Sequence, residues 1–168
     1  MSHPTKAVAN WLLEQYQNER HACTQLQLNK LVYIAHGWHL AADSAGDGLI
    51  DDKVIAWKYG PVIPSLREEF SQYGSRPIAE YATAWSSNGF ITPKLECGKP
   101  WEMSMLGWVW HTYGHLAGGT LIEITHKPNT PWSIVTNNGK DIGFNKEISR
   151  DIIRKYYGGL LEQLRSAK

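Results

Sequence analysis

The chain has 168 residues, 17 basic and 16 acidic side chains, a net charge of +1 and a 42% hydrophobic composition. A length of this order suits one domain able to bury ~70% of its unfolded surface, and the charge balance argues against a dedicated nucleic-acid binder, which carries a basic excess. No stretch approaches the ~20 apolar residues of a membrane span, and two isolated cysteines, Cys23 and Cys97, fit a reducing cytoplasm rather than a disulfide framework.

Residues 1–4 read as an ordinary start and not as a targeting segment. Thr5 is placed to cap a first helix to about residue 17, with Val8, Trp11, Leu12 and Tyr16 as its apolar face. Thr24-Gln25-Leu26-Gln27 has the pattern of a capping box. The helix it opens carries Leu28, Leu31, Val32, Ala35, Trp38 and Ala42 on one stripe. Residues 43–48 form a loop, and 49–57 a short strand or extended arm.

The segment Trp57-Lys58-Tyr59-Gly60-Pro61-Val62 marks an abrupt change of structure. Gly60 permits backbone angles that a Cβ resists, and Pro61 suits the first turn of a helix. Val62, Leu66 and Phe70 recur four apart, Ile63 and Tyr73 widen that face, and Gly74 stands as the stop.

From 75 to 100 the pattern is broken by Pro77, Gly89, Pro93 and Gly98. This reads as loops with a short helix at 79–84 and a short strand at 90–92. A helix follows over 102–113, with Leu106, Val109, Trp110 and Tyr113 inward, then a brief one over 119–126 that Pro128 and Pro131 prevent from continuing. Asn145 is placed to cap a last helix over 146–165. Gly158-Gly159 lowers its stability by about 1 kcal/mol per glycine, which predicts a bend or break there. The fold class is therefore mainly α: a single compact helical domain over 1–168, with a minor β element before the Gly60-Pro61 turn.

Three blocks carry a resemblance. They are Leu26-Gln27-Leu28-Asn29-Lys30-Leu31-Val32-Tyr33-Ile34-Ala35-His36-Gly37, then Ala56-Trp57-Lys58-Tyr59-Gly60-Pro61-Val62, then Thr125-His126-Lys127-Pro128-Asn129-Thr130-Pro131-Trp132. In this order they resemble the Panacea domain, the family of SocA-like antitoxins and phage-associated GepA proteins, over residues 5–157. Residues 76–101 show no such match. The motif positions Leu28, Lys30, Leu31, Tyr33, Trp57, Tyr59, Gly60, Pro61, Val62, His126, Pro131 and Trp132 are read as architectural. Gly60 is expected in a strained backbone conformation, Trp57 in the core, and Lys30 with its stem over the core and its charge in water.

The resemblance implies a non-enzymatic antitoxin of a toxin–antitoxin system, binding a protein toxin encoded by the adjacent gene. One relative acts instead as an adaptor that delivers its toxin to a protease, which would make a protease a second partner. Neither a membrane nor nucleic acid is expected as a partner.

Competing chemistry is thinly represented. His36 and His39 are three apart and His111 and His115 four apart, but Gly114 interrupts the second pair, and no Cys or acid completes a zinc set at a recognised spacing. Asp43, Asp47, Asp51 and Asp52 lack the closing glutamate of a calcium loop. There is no Gly-x-Ser-x-Gly and no phosphate loop. No metal, cofactor or catalytic residue is assigned, so a metal-dependent hydrolase is the weaker alternative. A DNA-binding regulator is equally weak, since 17–24 is long for a helix-turn-helix connection.

Eight tryptophans are the compositional outlier. Trp11, Trp38 and Trp108 fall on apolar helix faces and are assigned to the core. Trp85 and Trp101 lie in or beside the polar segment 75–101. Rigid aromatics in such surroundings are what binding hot spots favour, so Tyr81, Trp85, Phe90 and Trp101 are the candidate partner interface.

Overall fold

Helix α2 (Gln25–Ala42) packs against α1 (Thr5–Asn18), α3 (Pro64–Glu69), α4 (Pro100–Tyr113), α5 (Gly118–His126), α7 (Arg150–Ser166) and strand β2 (Gly60–Val62) in a computed structural model that describes residues 1–167. Every residue from Leu28 to Leu40 is buried. The stripe read from the sequence was too narrow, because neighbouring elements enclose the helix all round, its polar Asn29, Lys30, His36 and His39 included. The capping box is present: Thr24 Oγ1 accepts from the Gln27 amide, and the Gln27 side chain accepts from the Thr24 amide.

The remaining elements are β1 (Ile55–Trp57), a 3-10 turn (Ser71–Tyr73), β3 (Ala84–Ser86), β4 (Gly89–Ile91) and α6 (Pro131–Val135). The fold is mainly α, with seven helices and two antiparallel hairpins, β1–β2 and β3–β4, among the described residues. The most extensive helix contact is α2 on α7. A Cβ on Gly37 would collide with the Tyr157 ring, and that ring meets Tyr33 and Trp38 edge-on at centroid distances of 6.1 and 5.4 Å.

Several elements differ from their sequence reading. The helix after Gly60 begins at Pro64 and not at Pro61, because Gly60-Pro61-Val62 pairs with β1. Thr5 is the first helical residue rather than a cap, and its amide and hydroxyl both donate to Asp51 Oδ1. Residues 79–84 are not helical, and the strand expected at 90–92 is the second arm of a hairpin.

The last helix starts at Arg150, capped by Ser149, because the preceding segment is extended against β1. Ala56 donates to Lys146 O at 2.8 Å and Ile148 donates to Val54 O at 2.9 Å, while Asn145 takes φ 51°. Gly158-Gly159 does not break α7, since its buried positions Ile153 and Tyr157 hold the helix on its neighbours. Trp108 is 40% exposed rather than in the core, although it packs edge-on to Trp38.

Candidate functional site

The motif positions converge on one hairpin. Trp57 pairs with Gly60, leaving Lys58 and Tyr59 as the tip. Gly60 takes φ 101°, and a Cβ there would meet His126, Lys30 Nζ and Thr125 Oγ1 at 2.9 to 3.1 Å. This turn excludes a side chain on both counts. Pro61, lacking an N–H, accepts through its carbonyl from Lys30 Nζ at 2.8 Å.

Asn29 brackets the backbone of Ile63, accepting from its amide at 2.9 Å and donating to its carbonyl at 3.0 Å. From the other side Trp132 Nε1 donates to Trp57 O at 2.7 Å, and His126 Nε2 lies 3.3 Å from Lys58 O. The His126 and Trp132 rings are in contact with centroids 3.9 Å apart and planes tilted by 49°. Leu28, Leu31 and Tyr33 lie fully buried in the core on α2.

Two expectations fail at this hairpin. Lys30 does not keep its ammonium in water. It is 2% exposed, and burial depresses its pKa to about 7. The reason is that the helix carrying it is enclosed on all sides, so its stem has no route to solvent and the amine turns to the Pro61 carbonyl. Trp57 is not core: it is 37% exposed, with Tyr59 at 60%. Ala56 turns into the core, so the alternation of the strand turns Trp57 outward, and the Trp57 and Tyr59 rings border a groove of about 330 Å³ that Leu26, Val62 and Arg67 also line.

The β3–β4 hairpin is built differently. Trp85 sits directly opposite Phe90, so both rings share one face. They meet edge-on at 4.9 Å and are 73% and 74% exposed. Its base is clamped by the buried Asn10 of α1, which accepts from the Ala82 amide at 2.8 Å and donates to Ala82 O at 3.0 Å and Pro93 O at 2.9 Å. Thr83 adds two ties, donating to Glu69 Oε1 at 2.8 Å and accepting from Lys6 Nζ at 2.7 Å. The aromatic pair is thus displayed on a ribbon fixed to α1.

The other two candidate residues do not join this pair. Tyr81 is half-buried with its hydroxyl on Gln17, and Trp101 is half-buried against His39 at 4.9 Å. Sequence reasoning missed Asn10 and Asn29, polar residues on otherwise apolar helix faces. That placement was the available signal, since a buried amide needs partners.

The histidine pairs are separated by their partners. His36 Nδ1 accepts from the Leu49 amide at 3.1 Å, and burial, reinforced by Arg150, lowers its pKa to about 3. His39 Nε2 lies 2.9 Å from Glu102 Oε1 in the interior. His111 is exposed, and His115 pairs with Glu19. Asp51 and Asp52 serve Thr5 and Ser65, and Asp43 pairs with Lys99.

The family described as antitoxin SocA-like, Panacea domain, matches residues 28–133, which span α2, both hairpins and the Trp132 anchor. The chain belongs to this family. The antitoxin SocA of Caulobacter vibrioides (strain NA1000 / CB15N) is 28% identical over 153 residues, covering 89% of this chain and 79% of the relative. No solved structure matches. The bounds of the Panacea match enclose residues 76–101, so the aromatic hairpin lies inside the matched region. Family membership supports an antitoxin role, and no described helix is long and apolar enough to cross a membrane.

Proposed function

We propose that this protein is a cytoplasmic antitoxin that neutralises a protein toxin by direct binding, and that the β3–β4 hairpin is the centre of the binding surface. The observation that carries the reading is the Trp85–Phe90 pair: two touching rings, both almost three-quarters exposed, on a hairpin whose base is fixed. Large rigid aromatics lose little entropy on docking and dominate interface energetics. An exposed pair of this kind costs solubility unless a partner covers it.

The reading is one of binding, not of catalysis. His36, His39 and His126 each face backbone or a buried carboxylate that fixes their rings, and the Panacea match brings an antitoxin description. The partner is a toxin encoded beside this gene.

The test is co-expression with each neighbouring reading frame. A toxic neighbour should be rendered harmless and should copurify in a stoichiometric complex. A toxin that disappears in protease-proficient cells and persists in protease-deficient ones would assign the protein to the adaptor role. No rescue by any neighbour would remove the antitoxin reading.

A further inference from the structure

A cluster outside both hairpins joins three ligand-bearing side chains from three parts of the chain. His3 Nε2, Cys97 Sγ and Glu102 Oε2 belong to residues whose ligand atoms all lie within 4.8 Å of one another. His3 comes from the segment before α1, Cys97 from the connector before α4, and Glu102 from the first turn of α4. His3 is fixed by backbone bonds, its amide donating to Leu49 O at 2.8 Å and its carbonyl accepting from Asp51 at 3.1 Å.

The site has the marks of a coordination sphere. His3 Nε2 is buried and has no hydrogen-bond partner. It stands 3.4 Å from Glu102 Oε2 without the alignment of a hydrogen bond. Two tetrahedral zinc ligands with metal bonds of 2.0–2.1 Å lie about 3.3 Å apart. Glu102 is itself 2% exposed, and its other oxygen is held by His39 Nε2 at 2.9 Å. A carboxylate oriented by a histidine in this way is the outer-shell support that metal ligands need.

We propose that His3, Cys97 and Glu102 bind one zinc-class divalent ion, with solvent in the fourth position and His39 positioning Glu102. Cys97 coordinates as the thiolate, its proton passing to solvent. Nitrogen, thiolate sulfur and carboxylate oxygen together are a zinc donor set. The ion staples the segment before α1 and the connector after β4 to helix α4. This inference does not depend on the antitoxin reading.

Cobalt(II) is the probe, titrated into the full chain after chelator treatment. One equivalent should bind and give the near-ultraviolet thiolate-to-metal absorption, displaced by zinc. Cys97→Ser should abolish that absorption, and Cys23→Ser should leave it intact. His3→Ala, which keeps the backbone bonds of residue 3 to Leu49 and Asp51, should weaken affinity by about tenfold or more, and His39→Ala by 10–100-fold (roughly the outer-shell range). The proposal is overturned if no thiolate absorption appears or if it survives Cys97→Ser. It is equally overturned if binding is lost in His115→Ala, which would place the ion on the exposed Glu19, His21 and His115 cluster.

Discussion

Trp132 Nε1 donates to the carbonyl oxygen of Trp57 at 2.7 Å, joining two family motifs 75 residues apart. The bond ties α6 to the end of β1 at the point where the chain turns. Trp132 is 5% exposed, so its N–H has no solvent alternative.

Trp132→Phe retains an aromatic ring and deletes this donor. Leaving the Trp57 carbonyl without its partner should cost about 1–2 kcal/mol. Urea denaturation measures the loss, and amide exchange should quicken at the β1–β2 turn before the rest of the chain. Unchanged stability would mean that water replaces the indole there without cost.

Gly60→Val and Gly159→Ala should move stability in opposite directions. At Gly60 the φ of 101° and the contacts with His126, Lys30 and Thr125 both oppose a side chain, and strain of this kind costs about 1–3 kcal/mol. At Gly159 an added Cβ meets nothing within 4 Å inside a continuous helix, so alanine should stabilise by roughly 0.5–1 kcal/mol. Melting temperatures of the two variants decide both claims. A destabilised Gly159→Ala would show that α7 uses the glycine pair for something other than helix.

The contrast between these glycines shows what the sequence could and could not convey. Local chemistry was legible: the Thr24–Gln27 box, the helical period of α1, α2 and α4, and the special backbone at Gly60. Non-local pairing was not. Gly60-Pro61-Val62 reads as a helix start because Pro61 permits one, and only the partner strand Ile55–Trp57 shows that it is a hairpin. Lys146 and Glu147 have helix propensity, yet β1 draws them into extended structure. At the candidate sites, aromatic content pointed to the segment holding Trp85 and Phe90, but their pairing across a hairpin depends on a register that composition does not encode. Lys30 was misread for a related reason, since its burial is set by elements far along the chain that close over α2.

Lys30 should leave a signature in the pH dependence of stability. Burial lowers its pKa from 10.5 to about 7. Between about pH 7 and 10.5 the unfolded chain holds a proton that the native chain lacks, so this residue makes stability rise with pH across that window. Below it, the native state carries a buried charge at full cost. Lys30→Met removes the proton difference. The wild-type stability minus that of the variant should therefore increase from pH 7 to pH 9.5, read from urea midpoints at constant ionic strength. Parallel profiles would mean that the ammonium stays charged on the Pro61 carbonyl.

Trp85→Ala and Phe90→Ala should separate binding from folding. Each ring is largely exposed, and the hairpin is held from its base by Asn10, Lys6 and Glu69 rather than by the rings. Stability should therefore change by no more than about 0.5 kcal/mol. A central hot-spot aromatic is worth ~2 kcal/mol or more, which corresponds to an affinity loss of about 30-fold. Because the rings touch, the double variant should lose less than the sum of the singles. Tyr81→Ala and Trp101→Ala, whose half-buried side chains are held by Gln17 at the surface and by the buried His39, should have smaller effects on binding and larger ones on stability. The readouts are toxin affinity by calorimetry and growth rescue, with circular dichroism as the folding check. Full neutralisation by a folded Trp85→Ala/Phe90→Ala double variant would move the interface elsewhere. The next surface to test would be the β1–β2 tip, where Trp57 and Tyr59 border their own groove.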